Sequence, residues 1–86
     1  MAVKDISRIQ HMLEAIEALL SYVKRRRVYE MGKNRMLTSA IERELEILGE
    51  AANHISEKTK SKAPELPWKQ IIGMRHHISH EYSSRL

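Results

Sequence analysis

The sequence predicts an all-α fold, a small helical bundle of three main helices completed by homodimerisation. Apolar residues recur at alternating steps of three and four along three stretches, the spacing of one helical face. No stretch shows the single alternation of apolar and polar residues that marks a half-buried strand. The chain has 86 residues, 42% of them hydrophobic and none phenylalanine, so one domain over residues 1–86 has only a thin core. Small cores of this kind gain stability by pairing with a second copy.

The first helix is read from Ile6, Ile9, Leu13, Ile16, Leu20 and Val23, which share one face, with Asp5 as its N-cap. Met12, Leu19 and Tyr22, with Ala15 and Ala18, form a second stripe beside it. A helix apolar on two flanks requires neighbours on both. The second helix spans about Met36 to Glu57, where Ile41, Leu45, Leu48, Ala52 and Ile55 step by four and three. Ser39 and Glu42 match a capping box, although the helix can also start a turn earlier. Gly49 in its middle marks either close contact with another helix or a glycine tolerated at a cost of up to about 1 kcal/mol. Lys58 to Leu66 reads as a loop, and Pro67 suits the first position of a third helix carrying Trp68, Ile71, Ile72 and Ile78.

With no cysteine, the chain forms no disulfide and no cysteine-ligated metal site. No apolar run approaches the roughly 18 residues that span a bilayer, and Met-Ala-Val-Lys-Asp lacks a signal peptide's apolar core, so the cytoplasm is expected. The net charge of +4 is unevenly spread. Lys24, Arg25, Arg26, Arg27, Lys33 and Arg35 cluster against one acid, Glu30, whereas Met36–Glu57 holds five acids against Arg43. The basic cluster reads either as a solvated run at a helix end or as a surface for phosphate backbones.

At 100° per residue, Trp68, Ile71, Ile72, Arg75, Ile78, Ser79 and Tyr82 fall on one stripe of the third helix. Arg75 among apolar neighbours requires a charged partner or a phosphate, unless its head snorkels to water. His76 and His80, four apart, share a face in the manner of a zinc pair. A third ligand is not evident and the glutamate of an H-E-x-x-H motif is missing, so no metal and no cofactor is expected.

The run Pro67-Trp68-Lys69-Gln70-Ile71-Ile72-Gly73-Met74-Arg75-His76-His77-Ile78-Ser79-His80-Glu81-Tyr82 resembles the signature region of HepT-like HEPN proteins. Their motif is an arginine followed by a polar residue, then four to six residues on a histidine, and a tyrosine two beyond it. Arg75, His76, His80 and Tyr82 match it. Glu44-Leu45-Glu46-Ile47-Leu48-Gly49-Glu50-Ala51-Ala52 resembles the family's Gly-Glu-Ala segment on its second helix. His76 stands where the family usually has asparagine, and a single HEPN-like domain over 1–86 lacks the family's last helical segment.

The resemblance implies the toxin half of a prokaryotic toxin–antitoxin pair, a metal-independent ribonuclease working as a homodimer with a nucleotidyltransferase antitoxin of the MNT type. It also implies that Tyr82 is the residue on which that partner places AMP. Side-chain chemistry suits the activity. RNA carries its own nucleophile, the 2′-hydroxyl; an imidazole, here His80, moves a proton, and a guanidinium, here Arg75, holds the phosphate. His76 has a supporting place, and Lys24, Arg25, Arg26 and Arg27 follow the RNA backbone. Arg75 and His80 stand five apart, about 140° around a straight helix, so either the helix distorts near His77 or the arginine of one subunit serves the histidine of the other. The dimer answers both this and the thin core. The competing reading is a catalytically inactive helical module that pairs with itself or with an antitoxin.

Overall fold

The computed structural model describes residues 2–24, 26, 30 and 33–74. Among these the regular structure is helical: α1 (Val3–Val23), α2 (Arg35–Asn53), the single-turn α3 (Glu57–Lys60) and α4, residues 68–74. Asp5 and Arg8 near the start of α1 bond Ser56 and His54 just beyond the end of α2. The two long helices therefore run antiparallel.

Small residues let them approach closely. Ala15 on α1 and Ala51 and Ala52 on α2 are buried together with Met12, Leu48 and Ile55. Side chains of α4, Trp68, Ile71, Ile72 and Met74, pack against this cluster. Full burial of a side chain such as Leu48 contributes about 2 kcal/mol, so a core of this size is thin, as composition predicted. Leu48, Ala52 and Ile55 fall where the second helix's apolar stripe put them.

The two apolar stripes of α1 divide differently from one another. Met12 and Ala15 of the second stripe are core, with Leu19 packed against it. Ile6, Leu13, Ile16, Leu20 and Val23 of the first stripe are exposed, and Ile9 alone leans on the core.

Three local expectations are corrected. Asp5 does not cap α1: Ala2 holds that position, its carbonyl accepting the Asp5 N–H at 3.0 Å and the Ile6 N–H at 3.2 Å. Asp5 is instead 2% exposed and accepts three hydrogen bonds, from the Ser56 N–H at 3.0 Å and from the Ser56 and Thr59 hydroxyls at 2.6 Å each. The Ser56 hydroxyl, then that of Thr59 and the Ser56 amide, hold its carboxyl down at about 2, below the ordinary 3.8, because each bond favours the charged form. Of its two possible starts α2 takes the earlier one: the Asn34 side chain accepts the Leu37 N–H at 3.0 Å, which leaves Ser39 and Glu42 inside the helix rather than in a capping box. The helix also ends at Asn53, before Glu57, and the stretch read as loop from Lys58 contains the last three residues of α3, capped by Ser56.

Candidate functional site

The segment that leads into the candidate motif is firmly seated. At the start of α4 the Ile71 N–H donates to the Pro67 carbonyl at 3.0 Å, and the Trp68 indole N–H donates back to the Ala63 carbonyl at 2.9 Å. With its ring against the core and its one polar atom satisfied, Trp68 fixes where α4 starts. Ile71, Ile72 and Met74 carry the helix along the α1–α2 pair. The candidate residues Arg75, His76, His80 and Tyr82 lie outside the described residues, which end at Met74.

Of the basic cluster, Lys24 and Arg26 are described and exposed, while Arg25 and Arg27 lie outside the described residues. Arg26 acts locally. Its guanidinium donates to the Tyr22 carbonyl at 2.9 Å, satisfying one of the open carbonyls at the end of α1. Lys24 donates its backbone N–H to the Leu20 carbonyl at 3.1 Å.

A second constellation escaped the reading of the sequence. Arg8 and His11 on α1, Arg43, Glu46 and Glu50 along α2, and His54 just past its end line a groove of about 600 Å³. Its floor is Ile47 and Ala51. The Arg8 guanidinium donates to the His54 carbonyl at 2.8 Å, which fixes it across the helix pair. The His54 ring holds Nδ1 2.9 Å from the Glu50 carbonyl and 3.5 Å from the Glu50 carboxylate. A carbonyl only accepts, so Nδ1 carries the hydrogen and Nε2 is the nitrogen left for another partner. The signal was available in the spacing: Arg8 and His11 are three apart, and Arg43, Glu46, Glu50 and His54 step by three and four along one face. Nothing in the sequence says that these two faces meet.

Among the described residues, no group of three or more histidine, cysteine, aspartate or glutamate side chains is arranged to hold a metal ion. Nor is any described helix long and apolar enough to cross a membrane.

The model of the family Ribonuclease HepT-like matches residues 12–84, which takes in α1 from Met12, the whole of α2 and the motif through Tyr82. The chain belongs to the HepT-like family. It is 38% identical over 74 residues to the protein named "Putative RNase TTE0752" of Caldanaerobacter subterraneus subsp. tengcongensis, covering 86% of this chain and 66% of that one. It is 34% identical over 71 residues to "Putative RNase MJ1380" of Methanocaldococcus jannaschii, covering 83% and 65%. A third relative, "Probable ribonuclease HepT" of Thermococcus cleftensis, is 30% identical over 74 residues, covering 86% and 67%. This HepT-like chain thus spans about two thirds of the length of these relatives. No solved structure matches it.

Proposed function

We propose that this HepT-like chain is an endoribonuclease, the toxin component of a HEPN/MNT toxin–antitoxin pair, and that it acts without a metal ion as a homodimer. The observation that carries the reading is the reach of the family match: it runs through residue 84 and so includes Arg75, His80 and Tyr82. The ribonuclease names of the three relatives support the same reaction class.

The chemistry is phosphoryl transfer within the substrate. The 2′-oxygen of a ribose attacks the neighbouring phosphorus, the bond from phosphorus to the 5′-oxygen breaks, and a 2′,3′-cyclic phosphate and a 5′-hydroxyl result. A proton leaves the 2′-hydroxyl and a proton reaches the departing 5′-oxygen; His80 is the imidazole suited to one of these transfers. Arg75 holds the non-bridging oxygens and offsets the charge that grows on them. His76 supports this pair, while Lys24, Arg25, Arg26 and Arg27 follow the RNA backbone. Tyr82 accepts AMP from the MNT partner, and the added phosphodiester competes with RNA for Arg75.

Homodimerisation draws support from the aliphatic flank of α1, whose residues Ile6, Leu13 and Leu20, then Ile9, Ile16 and Val23, repeat every seven positions like a coiled-coil seam and are exposed except for Ile9. A second copy of the chain covers it.

The test is cleavage of a defined RNA by the purified protein in EDTA. Wild type cleaves; Arg75→Ala and His80→Ala lose cleavage by at least about 100-fold while keeping their helical ellipticity, and His76→Ala loses less. Full activity in either Arg75→Ala or His80→Ala refutes the assignment. Co-expression with the nucleotidyltransferase adds the mass of AMP at Tyr82, and an unmodified but neutralised protein removes that role from the tyrosine.

A further inference from the structure

The groove between α1 and α2 has a composition that the packing of the fold does not account for. Its two guanidinium groups come from different helices, Arg8 from α1 and Arg43 from α2. Arg8 is held in place by the His54 carbonyl, which occupies one of its five donors. Arg43 makes no hydrogen bond or ion pair among the described residues, and neither does His11. Two acids share the groove. The Glu50 carboxylate lies 3.5 Å from the His54 ring, and Glu46 lines the same groove.

A concave site with a pre-positioned guanidinium, a second one with its donors open and two imidazoles is built for an oxyanion with several acceptor atoms. Arginine forks match phosphate oxygens in pairs, and the backbone of a single-stranded nucleic acid offers such oxygens at regular intervals. Glu46 and Glu50 disfavour a multiply charged free phosphate more than they disfavour a phosphodiester, which carries a single charge.

We propose that the α1–α2 groove binds a backbone phosphodiester of single-stranded RNA through Arg8 and Arg43, two residues that the ribonuclease reading does not use. The proposal rests on the ribonuclease reading for the identity of the ligand, and it adds an affinity site that this reading does not contain. His54 presents Nε2 and His11 its ring to the same strand, and neither takes part in bond breaking.

The experiment uses the full chain and a fluorescent oligouridylate whose 2′-oxygens are methylated, so that binding is read without cleavage. Anisotropy titrations compare wild type with Arg43→Gln, Arg43→Glu and, as a control away from the groove, Lys62→Gln. Arg43→Gln raises Kd about tenfold, the size expected on losing one charge-assisted contact. It also lowers the slope of log K against log salt by about 0.7, that of one phosphate contact on a single strand. Arg43→Glu weakens binding further, and Lys62→Gln leaves it unchanged. Wild-type affinity and salt slope in both Arg43 variants overturn the proposal. So does equal affinity for free AMP, which would make the groove a small-molecule site, or a change of mass in light scattering, which would make it a contact between chains. If wild type cleaves unmodified RNA while the Arg43 variants bind normally, the groove proposal falls and the ribonuclease reading stands. If RNA binds through Arg43 but is never cleaved, the ribonuclease reading falls and the groove remains.

Discussion

On α1, Met12 and Ala15 are 8% and 1% exposed, while Leu13 and Leu20, on the neighbouring flank of the same helix, are 53% and 63% exposed. By hydrophobicity alone the order should be reversed, because the exposed flank carries isoleucine, leucine and valine and the buried one carries methionine and alanine. What decides is the partner. α2 presents Ala51 and Ala52 with Leu48 between their turns, a surface that admits a flank of small side chains at short range. The flank of large aliphatics suits a wider seam, in which side chains of another helix enter between its own. Apolar character says that a surface is to be covered; side-chain size says by what.

The strongest way to break this comparison is to cut into the buried flank. Met12→Ala and Leu48→Ala each lower unfolding stability by about 2–4 kcal/mol, the cost of lost burial plus a cavity that a close-packed helix pair cannot collapse. Urea melts followed by ellipticity check it. A loss below about 1 kcal/mol at both sites would mean that the pair is held chiefly by something other than this core.

Next comes the tie at the end of the same helix pair. The Asp5 carboxyl is lower in the folded protein, at about 2, than its ordinary 3.8, so it binds its proton more readily in the unfolded chain. Its contribution is therefore complete above about pH 4 and is lost as the pH falls from there toward 2. The urea midpoint of wild type declines across that window, and in Asp5→Asn the midpoint is lower at pH 7 and declines less on acidification. An identical pH profile in both proteins would remove the carboxylate's role.

The smallest effect belongs to the exposed flank. Leu13→Ser and Leu20→Ser change the stability of a single chain by less than about 0.5 kcal/mol, since neither side chain is buried within it. They halve the mass seen in light scattering if a second copy covers the flank. A dimer that withstands both substitutions together would place the contact between copies elsewhere.

Fold class was legible because periodicity needs no partner to be seen, and the core positions Leu48, Ala52 and Ile55 followed from it. The Asp5 tie was hidden for the opposite reason. An aspartate ahead of an apolar run signals an N-cap, and only the folding back of residue 56 onto residue 5, across 51 positions, turns it into an acceptor for another helix's cap. Asn34 is hard to see as a cap beside Ser39 and Glu42, because a capping box is a two-residue signal and a lone asparagine is not. The groove was invisible because its two arginines belong to segments 35 residues apart, each with an ordinary solvated reading. The resemblance of the run from Arg75 to Tyr82 to a family motif could be read from residue order alone, and the family match extends through it.

The chain's one tryptophan stands where α4 begins. Trp68 is half-buried, with its indole N–H bound to the Ala63 carbonyl and its ring against the core. Its emission therefore reports the seating of α4 apart from the rest of the molecule. Lifting α4 from the α1–α2 pair would expose the indole and shift its fluorescence to the red while the two long helices, and nearly all the ellipticity, stayed as they were. The protein carries a built-in optical probe at the start of α4, seven residues ahead of Arg75 in the sequence.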